Sequence, residues 1–180
     1  MIINHIPFKD IYLDEALAVV ERGNAKLDGY SYYEADNYSK QEGGLLDIID
    51  KALWMCLNNI NSEYNRVWVE SWINVVRNKP RQTYNRHSHV ELNKERGKEL
   101  PWFTWIYYLQ IPDNLSGDEG KLEVEDNWSV HKYLPKVGDL VILKGDVWHS
   151  VYSAPNSSKN RVVIAGNMGV ALDKQTKSLM

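Results

Sequence analysis

Between residues 67 and 165 the chain breaks into short β-branched or aromatic runs: Val67 to Val76, Thr83 to His89, Phe103 to Ile111, Lys121 to Val124, Leu140 to Leu143, Val147 to Tyr152 and Val162 to Ala165. Gly, Pro, Asn and Asp separate them. Strands of that length with that punctuation argue for a sandwich or barrel. Ahead of them, Leu13, Ala16, Leu17 and Val20 recur at helical spacing between Asp10 and Arg22, with Gly23 as a C-terminal stop. Leu45, Ile48, Ile49, Leu53, Leu57 and Ile60 form a second helical stripe. The tyrosine-rich stretch from Gly23 to Gly44 reads as a long loop over the site, and the charged stretch Leu92 to Pro101 as a mobile loop at the rim. The polar tail from Asp173 reads as frayed. The expected fold is mainly β with flanking helices, a two-sheet jelly roll with N-terminal helices packed on one sheet. With no repeat or composition break, residues 1–180 are expected to form one domain, with helical support over about 1–62 and a jelly-roll core over about 66–170.

A chain of 180 residues buries about 70% of the surface its unfolded form exposes, so it needs no disulfide or structural metal to hold together. A formal charge of -3 and a pI near 6.0 leave no global footprint for nucleic acid. No stretch approaches the roughly 20 apolar residues of a membrane span, and the first residues do not have the pattern of a secretion leader. Cys56 is the single cysteine, in an apolar helical stretch, which fits core packing and a reducing compartment. A cytoplasmic protein is expected. Aromatic usage is skewed, with 7 Trp and 11 Tyr against 2 Phe, and rings with a polar handle suit either a lined cleft or the strands of a β core.

The chemistry-bearing residues gather around His87-Ser88-His89-Val90-Glu91, His149 and Arg161. On a strand ending near residue 91, His87, His89 and Glu91 share one face, while Tyr84, Arg86 and Ser88 share the other. Two overlapping ligand pairs result, His87 with His89 or His89 with Glu91. His149 lies just after two turns, at the start of a strand, where a side chain can enter a barrel mouth as a third ligand. Imidazole with carboxylate, leaving open coordination positions, suits a non-haem Fe(II) site. Arg161 opens the apolar strand Val162 to Ala165, and its planar fork matches a carboxylate bidentately. His5 and His131 sit in polar surroundings and read as solvated.

Taken in order, Trp72-Ile73-Asn74, Asn85 to His89, Trp105 to Pro112, Gly117 to Leu122, Pro135 to Leu140, His149-Ser150-Val151 and Arg161 to Asn167 resemble the 2-oxoglutarate and Fe(II)-dependent dioxygenase superfamily. The resemblance spans roughly residues 67 to 169 and is strongest to a prolyl-hydroxylase-like branch from marine bacteria and their phages, which places the protein in bacterial or host cytoplasm. It implies a double-stranded β-helix with Fe(II) held by His89, His149 and either His87 or Glu91. It also implies 2-oxoglutarate held by Arg161, with dioxygen as co-substrate and a peptidyl side chain as prime substrate. The wider superfamily carries His-x-Asp where this chain has His-x-His. Where a Ser or Thr often follows the arginine by two residues, this chain has Val163, leaving Tyr107, Tyr108 or Asn74 to make the second carboxylate contact. Two other readings compete: a cupin-type metal enzyme without 2-oxoglutarate, for which Arg161 has no use, and a non-catalytic jelly-roll binding module, for which converging histidines have none.

Overall fold

A computed structural model of the chain describes residues 1–22, 30–35, 44–60, 64–76, 86–95, 101–126 and 129–172. In chain order the elements are β1 (Ile2–His5), α1 (Asp10–Arg22), β2 (Tyr30–Ala35), α2 (Gly44–Leu57), β3 (Tyr64–Val76), α3 (His89–Glu95), β4 (Phe103–Gln110), β5 (Leu122–Asp126), β6 (Ser129–Tyr133), β7 (Asp139–Lys144), β8 (Trp148–Val151) and β9 (Arg161–Leu172). Among the described residues, six strands form one sheet in the order β1-β7-β4-β9-β3-β2, and three form a second in the order β6-β5-β8. Every paired neighbour is antiparallel. This is the expected jelly roll.

Strand alternation sorts the larger sheet into two faces. Trp105, Tyr107 and Leu109 of β4, with Val162, Ile164, Met168 and Val170 of β9, pack against Tyr12 and Ala16 of α1 and Ile48, Ile49, Ala52 and Cys56 of α2. Ile106, Tyr108, Val163, Ala165 and Trp72 point the other way, into a lumen closed by Leu122, Val124 and Val151 of the smaller sheet. Because both faces are covered, β4 is buried from Thr104 through Leu109 and shows no polar alternation. Close approach shapes one position: a Cβ at Gly166 would collide with the Trp105 ring, so glycine lets that indole lie flat across β9.

The two helices tie to each other before they meet the sheet. The Tyr12 hydroxyl donates to Asp47 Oδ2 at 2.7 Å, and Glu15 Oε2 accepts the Leu45 N–H at 3.1 Å, satisfying one of the unpaired donors at the start of α2.

Several expectations are corrected. Part of the tyrosine-rich stretch is a strand, β2, paired with β3 at the edge of the larger sheet, while 23–29 and 36–43 lie outside the described residues. Ile2–His5, unassigned from sequence, adds an edge strand to β7. His131 lies in polar, exposed surroundings as expected, on the edge strand β6 that pairs with β5. Residues 86–95 do not continue a strand: Ser88 takes a helix N-cap position, its Oγ accepting the Glu91 N–H at 3.5 Å, and α3 starts at His89. The rim loop expected over 92–101 therefore begins as helix, and its remainder over 96–100 lies outside the described residues, as does the tail from Asp173.

Candidate metal centre

His87 and His149 are delivered as a cross-strand pair. The His87 N–H donates to the His149 carbonyl at 3.1 Å and the His149 N–H returns to the His87 carbonyl at 2.9 Å, a two-bond antiparallel bridge that adds a rudimentary fourth strand to the smaller sheet. Paired residues of this kind project to the same face, and the two imidazole centroids lie 4.5 Å apart. Outside the barrel, Arg86 lies over the Trp148 ring at 4.6 Å and pairs with Glu125, holding the bridge from behind.

His89 arrives by a turn. Past the Ser88 cap the chain coils into α3, and the Val90 N–H donates to the Gly145 carbonyl at 3.3 Å, docking the helix on the turn between β7 and β8. The His89 ring is stacked between Trp72 at 5.4 Å and His149 at 5.1 Å. The ligand atoms of His87, His89 and His149 all fall within 4.8 Å of one another, and both His89 and His149 are buried. Donors around a closed site with metal–nitrogen bonds of about 2.1 Å stand roughly 3 to 3.5 Å apart, so modest ring rotation brings these three to binding distance.

The proton inventory favours a metal. His149 Nδ1–H donates to the Val147 carbonyl at 3.1 Å, which fixes the tautomer and presents Nε2 to the group. Burial, reinforced by His87 and Arg161, lowers the His149 pKa to about 4 against the opposing pull of the Val147 hydrogen bond. The ring is neutral at physiological pH, the form a metal needs.

Glu91, the alternative third ligand, is not in this group. It lies exposed in the first turn of α3 with a carboxylate oxygen 3.7 Å from Lys94 Nζ. The expected shared face of His87, His89 and Glu91 depended on strand geometry, and the helix start at His89 turns Glu91 outward.

Arg161 sits at the far end of the lumen, 4% exposed. Its Nη2 is 3.5 Å from the Tyr108 hydroxyl, its guanidinium lies 5.1 Å from the centre of the Tyr108 ring, and its Nε is buried without a hydrogen-bond partner. Among the described residues no carboxylate pairs with it. Burying a cation whose donors are unsatisfied is costly, and an anion with planar oxygen geometry removes that cost. The three imidazoles thus fit a metal ion, and the unsatisfied Arg161 Nε fits an anion.

Tyr107 does not line this region. It belongs to the helix-facing side of β4, where its hydroxyl donates to the Ile6 carbonyl at 3.2 Å. Tyr108, one residue on, has the lumen parity and faces Val163 across β9, so it occupies the neighbourhood where the sequence lacks a hydroxyl at 163. Burial pushes the Tyr108 pKa up, with Arg161 opposing, which keeps the phenol a neutral donor. Asn74 is half-buried on the lumen side of β3, opposite Val163. The stacking role of Trp72 was not legible in the sequence.

No protein-family model matches the chain, and no curated protein matches it in sequence. Solved structures do. A prolyl-4-hydroxylase from Pseudomonas putida is similar at a TM-score of 0.64 and 16% identity, over 88% of this chain and 84% of that one. An oxidoreductase of the 2OG-Fe(II) oxygenase family from Burkholderia pseudomallei is similar at 0.61 and 13%, over 93% and 84%. A prolyl hydroxylase from Trichoplax adhaerens, solved with a hypoxia inducible factor oxygen degradation domain peptide fragment, is similar at 0.59 and 18%, over 99% and 86%. At these identities the likeness shows the fold, the jelly roll of the 2-oxoglutarate oxygenases.

Proposed function

We propose that this protein is an Fe(II)- and 2-oxoglutarate-dependent oxygenase that hydroxylates a peptidyl side chain. The observation that carries the reading is the coexistence, in one lumen, of a three-histidine group and a buried arginine with an orphaned donor. Metal, 2-oxoglutarate and dioxygen together supply the oxidising chemistry: one oxygen atom enters succinate as carbon dioxide leaves, and the other enters a C–H bond as hydroxyl. The chain's own contribution is placement. His87, His89 and His149 hold the ion, with Trp72 fixing the plane of His89 and Val147 the tautomer of His149. Arg161 and Tyr108 orient the far carboxylate of the co-substrate, and the apolar cluster of Ile106, Val163, Ala165 and Trp72 beside them excludes water. A peptide substrate is in keeping with the peptide complex of the similar Trichoplax adhaerens enzyme. Cys56, buried and with its thiol pKa pushed up to about 12 by burial, is compatible with the cytoplasm.

The carboxylate-free ligand set also suits a cupin-type centre without 2-oxoglutarate, and Arg161 separates the two. Titrating 2-oxoglutarate calorimetrically into Mn(II)-loaded parent and Arg161→Ala protein should show a loss of about thirty-fold or more in affinity, as expected when a desolvated charge pair worth about 2 to 5 kcal/mol is removed. Metal affinity should stay nearly unchanged. Equal 2-oxoglutarate binding by the two proteins would favour the cupin-type alternative.

A further inference from the structure

His89 and His149 are far apart in the sequence, yet one turn bonds to the backbone or ring of each. Between β7 and β8 the chain reverses over Lys144 to Val147, with the Val147 N–H donating to the Lys144 carbonyl at 3.1 Å. The Val147 carbonyl takes the Nδ1 proton of His149, and the Gly145 carbonyl accepts the Val90 N–H at 3.3 Å, one residue past His89. Gly145 in turn donates its own N–H to the Trp102 carbonyl at 3.0 Å, and the Trp102 N–H donates to the Met168 carbonyl of β9 at 2.9 Å. A continuous run of backbone bonds therefore links the start of α3 to the larger sheet through one residue.

Residue 145 has no room for a side chain. A Cβ there would stand 2.2 Å from the Pro101 carbonyl oxygen and 2.9 Å from the carbonyl carbon, and the next residue, Trp102, is tied to β9. Either the turn or the Pro101 backbone must move to admit one. The chain leaves Gly145 at Val90 and returns to it at Trp102, so both ends of the segment that follows His89 are pinned to this glycine. With its ends pinned, the path between them does not decide where His89 stands. Bonds that orient ligands from behind matter to a metal, and losing one typically costs about 10 to 100-fold in affinity.

Resting on the reading of the three histidines as a metal centre, we infer that Gly145 is a positioning residue for the ion: its carbonyl, through Val90, sets where the His89 imidazole stands relative to His87 and His149. Trp72 stacks on that ring, and Gly145 holds the backbone that carries it. His87 reaches the group by a different route, since its own N–H and carbonyl are bonded directly to His149. Linkage makes the effect reciprocal: a Val90 bond that favours capture of the ion is strengthened by capture to the same degree.

The test uses the full chain, with Co(II) as the probe. The parent protein is titrated first, and no saturable binding there ends the three-histidine reading and this inference with it. Given binding, Gly145→Ala should hold Co(II) about tenfold or more weakly than the parent. Proton NMR of the Co(II) forms adds a signature that general loosening does not give: of the hyperfine-shifted imidazole resonances, those absent from His89→Gln should move or vanish in Gly145→Ala while the others stay. Amide exchange of the parent, with and without diamagnetic Zn(II), decides the matter if Gly145→Ala does not fold. The Val90 amide should exchange about tenfold or more slowly with metal bound, while that of Asn58, which donates to the Trp54 carbonyl at the end of α2 on the other face of the larger sheet, should not change. Parent-like Co(II) affinity in Gly145→Ala, resonances of His87 and His149 displaced as much as those of His89, or a Val90 amide indifferent to metal would each overturn the assignment.

Discussion

His149 couples the candidate site to the stability of the metal-free fold. Its pKa falls from the ordinary 6.5 to about 4 because the ring is buried. Folding therefore opposes its protonation, and the unfolded chain takes up the proton first as pH drops. The contribution of His149 to stability is complete above about pH 6.5 and is lost as pH falls toward 4, by about 3 kcal/mol in total. Urea midpoints of metal-free protein at pH 7 and pH 5 should show this loss, and His149→Gln should flatten it; an identical slope in the variant would contradict the burial argument. His149 and Arg161 stand out in the sequence because each starts a strand after turn residues, and the fold brings both into the lumen. The choice between Tyr107 and Tyr108 was not legible there, since β4 is hydrophobic on both faces and nothing marks which parity meets the lumen. Asn74 and Trp72 share the lumen parity of β3, but the stack of Trp72 on His89 depends on a chain reversal that no local signal encodes in full.

That reversal is the clearest miss among the elements. Ser88-His89-Val90-Glu91 has the S-x-x-E spacing of a helix start, yet alternation of His87, His89 and Glu91 reads equally well as a strand. The cap won because Ser88 satisfies the first turn of α3 and Val90 anchors it on Gly145. Both N-terminal helices were legible, their stripes being long enough to show a 3.6-residue period, though the second ends at Leu57, short of Ile60. Ile48 is wholly buried between α2 and the sheet, so Ile48→Ala should cost about 2 to 5 kcal/mol in chemical denaturation; a loss well under 1 kcal/mol would mean that α2 does not pack as described. The loop before β9 has its own anchor. Asp113 accepts from the Ser157 hydroxyl and the Ser158 N–H, each at 2.7 Å, and from the Ser158 hydroxyl at 2.6 Å. These bonds, the Ser158 hydroxyl first, hold its carboxyl well below the usual carboxylate range. Their stabilising effect is present above the ordinary value near 3.8 and disappears as pH falls through the folded value. Asp113→Asn should make amides of residues 157–159 exchange faster at neutral pH, and unchanged exchange would remove Asp113 from the delivery of Arg161.

Across the whole molecule, the layout follows from antiparallel sheets whose two faces carry different burdens. The helix-facing side of the larger sheet is a continuous apolar core, which the sequence announces through β-branched runs and helical stripes. The lumen side combines apolar packing with histidines and a buried arginine, and its composition is set by long-range register that a linear reading cannot see. The expected jelly roll was legible from punctuation and strand length, while the edge strands β1, β2 and β6 were not, because edges tolerate polar residues and need no alternation. We propose that the three histidines hold an iron ion while Arg161 holds the 2-oxoglutarate that chelates it, and the anaerobic addition of Fe(II) and then 2-oxoglutarate to metal-free protein, followed by visible absorption, tests this directly. A weak charge-transfer band saturating at one equivalent of each, and absent in His149→Ala, is the predicted result. Binding of Fe(II) with no band at saturating 2-oxoglutarate would contradict it.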